Sequence, residues 1–195
     1  MTPRIKPMID MWRRVRRSAS ELLVDRSGLA AIEFAMIVPI MLLLFFGTDE
    51  FSSGVAVNRK VTLMARTVSD LTSQNVSVTD AQLTNFFNAS KAIMAPYPSA
   101  PVNATVSELY IDPATKVARV QWSVGAAPRG LGSTVTIPTA LQVGGSYLIY
   151  SEVSYDFVPT VGYVLKSSIT LRDYTYTRPR QSLCVMYNST VCTTS

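Results

Sequence analysis

Positions 29 to 48, LAAIEFAMIVPIMLLLFFGT, are apolar apart from one carboxylate, Glu33. As a helix these 20 residues reach about 30 Å, one bilayer hydrocarbon core. Pro39 lies inside the run, where it removes a backbone donor and bends a helix locally. The helical signal does not stop at Thr48. From Asp49 to Gln74 there is no proline and one glycine, Gly54. Phe51, Val55, Val61, Met64, Ala65, Val68 and Leu71 recur at spacings of three, four and six, opposite a polar face of Asn58, Arg59, Lys60 and Arg66. The pattern predicts one helix from about Leu29 to about Thr72.

The remainder changes period. SVTDAQLTNFFNASKAIM predicts a short helix capped by Thr79 or Asp80, with Leu83, Phe86, Phe87 and Ile93 buried. PYPSAP, residues 96–101, reads as a turn. VNATVSELYID and KVARVQWSVG then alternate apolar and polar on either side of Asp112-Pro113-Ala114-Thr115, a hairpin signal. SYLIYSEVSYDFVP and SSITLRDYTYTRPR alternate again, with Gly144-Gly145 and Gly162 as punctuation. The expected fold class is α+β: a small antiparallel sheet of four or five strands packed on the second half of the long helix. The expected organisation is a leader at 1–28, a transmembrane helix at 29–48, its continuation at 49–74 and a sheet domain at 75–195.

Charge sharpens this division. The net charge of +5 suggests an anionic partner until it is located. Residues 1–28 hold seven of the 18 Lys and Arg and three of the 13 Asp and Glu, a net of +4, which leaves +1 for the rest. No basic stripe with interleaved aromatics remains for nucleic acid. A secretory signal would have a shorter apolar region and a small-residue cleavage site, where here Asp49-Glu50 follow. A buried core helix is excluded by the long uncharged run, and a retained span is the reading that fits. Arg13, Arg14, Arg16, Arg17 and Arg26 precede it, so the N-terminus is expected in the cytoplasm and the domain on the exported side.

Catalytic constellations are missing from the sequence. It has no histidine, no GxSxG, no phosphate-binding glycine loop and no metal-spaced cluster, so neither an enzyme nor a cofactor or metal is expected. Glu108, Asp112, Glu152 and Asp156 fall in strand or turn contexts and read as solvated. The two cysteines, Cys184 and Cys192, do not have the spacing of a redox CxxC. In an oxidising compartment they read as a short-loop disulfide, and otherwise as two thiols. Asn188-Ser189-Thr190 matches a glycosylation tripeptide that is common by chance.

Glu33 is the anomaly. An acid in hydrocarbon costs several kcal/mol, less near the interface. One account is that it snorkels to the cytoplasmic boundary, in a first helical turn that favours negative charge. Another uses the preceding Gly28. If the chain is cut between Gly28 and Leu29, Leu29 carries a new α-ammonium and Glu33 becomes the fifth residue. In a bundle, that carboxylate can pair with the ammonium of a neighbouring subunit, which offsets the desolvation of both ions and fixes axial register.

A basic leader ending in Gly, then an apolar helix with Glu at the fifth position, resembles the class III signals of type IV pilins and pseudopilins. Over residues 27–54, SGLAAIEFAMIVPIMLLLFFGTDEFSSG, the chain resembles the TadE-like family of Tad (Flp) pilus assembly proteins. The matching positions are Gly28, Ala30, Ala31, Glu33 and Phe34, then Pro39 in the span, then Gly47, Glu50 and Phe51 at its far end. TYTRPR, residues 175–180, resembles the strand that often closes this family's domain. The resemblance implies a minor pilin or pseudopilin that is processed by a prepilin peptidase and acts in pilus initiation, assembly or capping. Its partners would be other Tad pseudopilins and the Flp pilin, met through the apolar helix in the bacterial inner membrane, with the globular domain in the periplasm. The alternative is an uncleaved single-span scaffold of the same machine. Strand edges and the aromatic-rich YLIYSEVSYDF are the expected docking surfaces, unless the latter is sheet core.

Overall fold

The computed structural model describes residues 27–159, 167–188 and 190–192. Gly162 and the residue between Asn188 and Thr190 lie outside them, as do residues 1–26 of the expected leader. The chain divides into two units, residues 1–48 and 49–195. One helix, α1 (Ser27–Ser73), contributes residues to both. It continues through Pro39, whose ring nitrogen cannot donate to the carbonyl of Ala35.

In the first unit the described part of α1 is apolar on every side and exposed on nearly every side. Leu29, Ile32, Phe34, Met36, Ile40 and Leu43 are all more than half exposed. The Thr48 hydroxyl donates back to the Leu44 carbonyl at 2.7 Å, so the one polar side chain at the end of the run is satisfied within the helix.

The second unit opens with the rest of α1. The stripe that faces the sheet is Val57, Val61, Met64, Ala65 and Val68, each no more than 1% exposed. This corrects the periodicity at its ends. Phe51 is 72% exposed and Val55 38% exposed, while Ser69, Thr72 and Ser73 are buried. Hydroxyls make burial possible at these positions outside the expected apolar face: Ser69 donates to Thr177 Oγ1 at 2.7 Å and Thr72 to the Val68 carbonyl at 2.8 Å.

β1 (Ser77–Val78) leads into α2 (Asp80–Lys91). Thr79 is the N-cap and forms a capping box: its hydroxyl accepts from Gln82 N, and Gln82 Oε1 accepts from Thr79 N at 3.0 Å. Leu83 is fully buried, and Phe86, Phe87 and Ile93 pack on the core partly buried. Lys60 ties α1 to the end of this segment, donating to the carbonyls of Ile93 (2.9 Å) and Ala95 (2.8 Å).

The main sheet is five-stranded and antiparallel, in the order β4-β3-β2-β5-β6. Its strands are β2 (Val102–Ile111), β3 (Ala118–Gly125), β4 (Thr134–Val135), β5 (Tyr147–Phe157) and β6 (Ile169–Thr177). The β2–β3 turn forms where the sequence marks it. Asp112 Oδ1 accepts from Ala114 N (2.7 Å) and Thr115 N (2.9 Å), and these donors, Thr115 first, hold its carboxyl below the usual range. Gly125 ends β3 at φ +145°, and a Cβ there would collide with the backbone of Ala104 and Thr105. β5, which contains YLIYSEVSYDF, lies between β2 and β6 with most residues buried, so that segment is sheet core and not a docking surface.

The alternation in β3 breaks. Glu108 pairs with Trp122 but the next residue, Leu109, pairs with Val120, leaving Gln121 as an extra residue. Ala118 and Val120 therefore join Leu109, Ile111 and Leu148 in one cluster, while Trp122 turns to the other, with the α1 stripe, Val106, Ile149 and Val153. Strict alternation would have put Val120 and Trp122 on one face.

The C-terminal segment closes the domain. β7 (Met186–Tyr187) runs parallel to β1. Cys184 and Cys192 are joined, with Cα atoms 6.1 Å apart. The closed loop is short, so in the loop-entropy treatment losing the bond costs about 2.5 kcal/mol. Urea unfolding with and without reductant is expected to differ by that amount; identical curves would mean that the non-covalent contacts of residues 184–187 alone hold the segment.

Candidate functional site

The expected site begins at the first residues of α1. Gly28 lies in the first turn, and a Cβ placed on it would meet nothing within 4 Å. No packing among the described residues thus asks for glycine there. Leu29 is 56% exposed and Glu33 is exposed. Four residues apart, they share one face of the helix. Ala30, Ala31 and Phe34 are exposed as well, and Phe34 presents 68% of its surface. The small residues leave the helix surface low at the turn that carries the acid.

At the far end of the run the motif residues part. Gly47 is half-buried. Glu50 is 3% exposed and Phe51, beside it in sequence, is 72% exposed. Glu50 lines a crevice of about 340 Å³ with Gly54, Val55, Phe157, Ile169 and Leu171. Phe51 presents its ring outward at the rim of the same crevice. The two acids of the motif therefore have different settings: Glu33 is exposed on an apolar helix, and Glu50 is enclosed in the globular unit.

A buried acid outside the motif is Glu108. It is 2% exposed, which overturns its reading as a solvated strand residue. Glu108 Oε1 accepts from Val185 N at 2.6 Å and Oε2 from Trp122 Nε1 at 3.0 Å. Trp122 Nε1 also donates to the Val185 carbonyl at 2.8 Å. Tyr187 stacks on the Trp122 ring, with centroids 5.5 Å apart. Burial raises the Glu108 carboxyl to about 7, against the pull of its two donors. The signal was present in the sequence: Glu108 continues the inward register of Val102, Ala104 and Val106. Glu152 is also partnered, in a two-pronged ion pair with Arg129 at 2.6 and 2.7 Å and as acceptor from Tyr150 at 3.0 Å. Asp156 is exposed, as read, and accepts from Thr170 at 2.7 Å.

Residues 28–70 match the family model described as TadE-like protein. No curated protein and no solved structure matches the chain. The match begins at the junction glycine, takes in Glu33, Pro39, Glu50 and Phe51, and ends within the part of α1 that packs on the sheet. Over residues 28–70, the first part of α1 and most of its sheet-facing stripe, the chain is similar to the TadE-like family.

Proposed function

We propose that the protein is a minor pilin or pseudopilin of a Tad (Flp) pilus system, cut after Gly28 by a prepilin peptidase and acting in pilus initiation, assembly or capping. The observation that carries this reading is the TadE-like match beginning at Gly28, on a helix whose next 20 residues contain one charge, Glu33. Glycine at the cut gives a protease access to the backbone, and nothing in the helix competes with that use of the position. The basic residues before Gly28 hold the N-terminus in the cytoplasm, the apolar run spans the inner membrane once, and the sheet domain lies in the periplasm.

After cleavage, the Leu29 ammonium and the Glu33 carboxylate lie on one helix face. Within a bundle of such helices, each Glu33 pairs with the ammonium of a neighbour, and an uncut chain has no charge to offer there. Assembly is thereby made conditional on processing. The exposed apolar side chains of residues 29–46 supply the remaining contact with other pseudopilins and with the pilin. The role is structural and not catalytic.

Intact mass of the membrane-extracted protein, from cells with and without the prepilin peptidase, tests the reading. A chain starting at Leu29 only when the peptidase is present is the expected result. A chain retaining residues 1–28 in both makes it an uncleaved single-span scaffold instead. Glu33→Ala should insert normally yet lose association with its partner helix by at least about tenfold, the effect of about 1.4 kcal/mol. Normal association of that variant would remove the charge pair from the account.

A further inference from the structure

The sheet face turned away from the α1 stripe carries a cavity of about 590 Å³ that the proposed function does not use. Ala104, Val106 and Val153 belong to the cluster on the α1 side, so by strand alternation Asn103, Thr105, Glu152 and Ser154 face the other way. The register sets the side chains there in two rows. Asn103 lies opposite Ser154, and Ser154 opposite Arg172; Thr105 lies opposite Glu152, and Glu152 opposite Tyr174. On β5, Glu152 and Ser154 are half-buried, whereas Ser151, Val153 and Tyr155 beside them are buried. Two rows across three strands give a floor of about 10 Å by about 7 Å. The segment after β3 forms a wall that is pinned to this floor: Ala127 N donates to Thr105 Oγ1 at 3.1 Å and Arg129 N to Ser123 Oγ at 2.9 Å.

The cavity is polar and its charge is balanced. Its lining holds two arginines, Arg129 and Arg172, and two acids, Glu152 and Asp173. Arg129 and Glu152 neutralise each other in their two-pronged pair. Asp173 gives its carboxylate to the Thr62 hydroxyl and the Tyr174 N–H. Arg172 has a further acid, Asp156, as its diagonal neighbour on the same face, because Asp156 lies opposite Thr170. An anion or a cation would therefore meet repulsion as well as attraction here. The groups left over are Asn103, Ser154 and Arg172, whose side chains make no hydrogen bond or ion pair among the described residues. They form one row that offers an amide and a hydroxyl, each donor and acceptor, and a guanidinium donor. Beside the row lies the Tyr174 ring, 58% exposed. Other rings brace it, with centroids at 6.0 Å for Tyr150 and 5.7 Å for Tyr176.

We infer that this cavity binds a neutral saccharide built of pyranose rings. A pyranose has the two features that the floor asks for. Its C–H face is apolar and lies on the Tyr174 ring. Its rim carries hydroxyls, each donor and acceptor, which bond Asn103, Ser154 and Arg172. An apolar ligand would leave that row of polar groups unpaired, and a charged one has no net field to meet. The floor has room for one pyranose ring or two. The inference uses neither the cut after Gly28 nor the membrane span, because the whole site lies within residues 103–174. Its failure is therefore read separately from a failure of the proposed function.

The test uses the full chain in lauryldimethylamine oxide, a detergent without a sugar headgroup, and saturation-transfer NMR. The probes are maltose, cellobiose, lactose and N,N′-diacetylchitobiose, with digalacturonate as an acidic control, de-acetylated chitobiose as a basic one and glycerol as a generic polyol. Saturable binding of at least one neutral disaccharide is expected, with a dissociation constant below about 10 mM. Tyr174→Ala and Arg172→Met should each weaken it at least about tenfold, and Tyr174→Phe, which keeps the ring, should hold it within about threefold. No saturable binding of any of the four overturns the proposal. So does unchanged binding to Tyr174→Ala and Arg172→Met, loss of binding in Tyr174→Phe, tighter binding of either charged disaccharide, or displacement by glycerol at equal concentration. If Tyr174→Ala does not fold, Arg172→Met decides, because Arg172 is exposed and holds no other side chain in place.

Discussion

Glu108→Gln should remove a fall in stability of about 3 kcal/mol that the wild-type domain undergoes between pH 4.5 and 7. Burial raises the Glu108 carboxyl from 4.5 to about 7. Across that window the folded domain keeps a proton that the unfolded chain has released. Stability from this group is therefore fullest below the unfolded value and declines as pH rises to the folded one. It is flat above that point. The cause is local: the carboxylate has two hydrogen-bond donors, Val185 N and Trp122 Nε1, and among the described residues no cation within ion-pair distance. Asp112 does not confuse the measurement, because its carboxyl is held below the ordinary range and titrates beneath this window. Glutamine keeps the shape and one acceptor. It should match the wild type within about 1 kcal/mol at pH 4.5 and exceed it by about 2 kcal/mol at pH 8. Urea unfolding at a series of pH values gives both curves. Parallel curves would mean that the buried carboxyl is not the titrating group.

The architecture was legible in the sequence because its strongest signals are long. The apolar run, the proline-free continuation, the helix start at Thr79 or Asp80 and the Asp112 turn are each specified by residues close in sequence, and each appears at its expected place, with Thr79 the cap. What was lost depends on distant partners. The bulge at Gln121 is invisible in KVARVQWSVG, because only pairing with β2 defines an extra residue. That bulge sends Trp122 to the helix side, where it meets Glu108, and so the sequence could not connect the two. Glu152 looked solvated because Arg129 lies 23 residues away. The junction residues are the opposite case. Gly28 and Glu33 were read through a motif, and the fold of the single chain gives neither a packing role. Their use lies with other molecules, a peptidase and neighbouring helices in the proposed function.

Val61→Asp and Phe51→Asp should separate the two roles of α1. Hydrophobic periodicity places both residues on one apolar face, but Val61 is 0% and Phe51 72% exposed. At position 61 a carboxylate would be enclosed by the sheet-facing cluster that includes Val57, Met64, Val106 and Ile149. The nearest basic residue in sequence, Lys60, already donates to the carbonyls of Ile93 and Ala95. Burying an unpaired charge there should cost at least about 4 kcal/mol, a large part of the stability of a domain this size. The same change at position 51 removes a ring that the globular unit leaves outside, and should alter its unfolding free energy by no more than about 0.5 kcal/mol. Phe51 belongs to the TadE-like segment, and its exposed ring is free to meet another chain. Phe51→Asp should therefore leave the domain folded and lower its recovery with the partners of the proposed function, whereas Val61→Asp lowers the recovery of the protein itself. Unfolding curves and partner co-purification, measured on both variants, check the pair. Equal destabilisation would restore the simple periodic face and remove Phe51 as a contact residue.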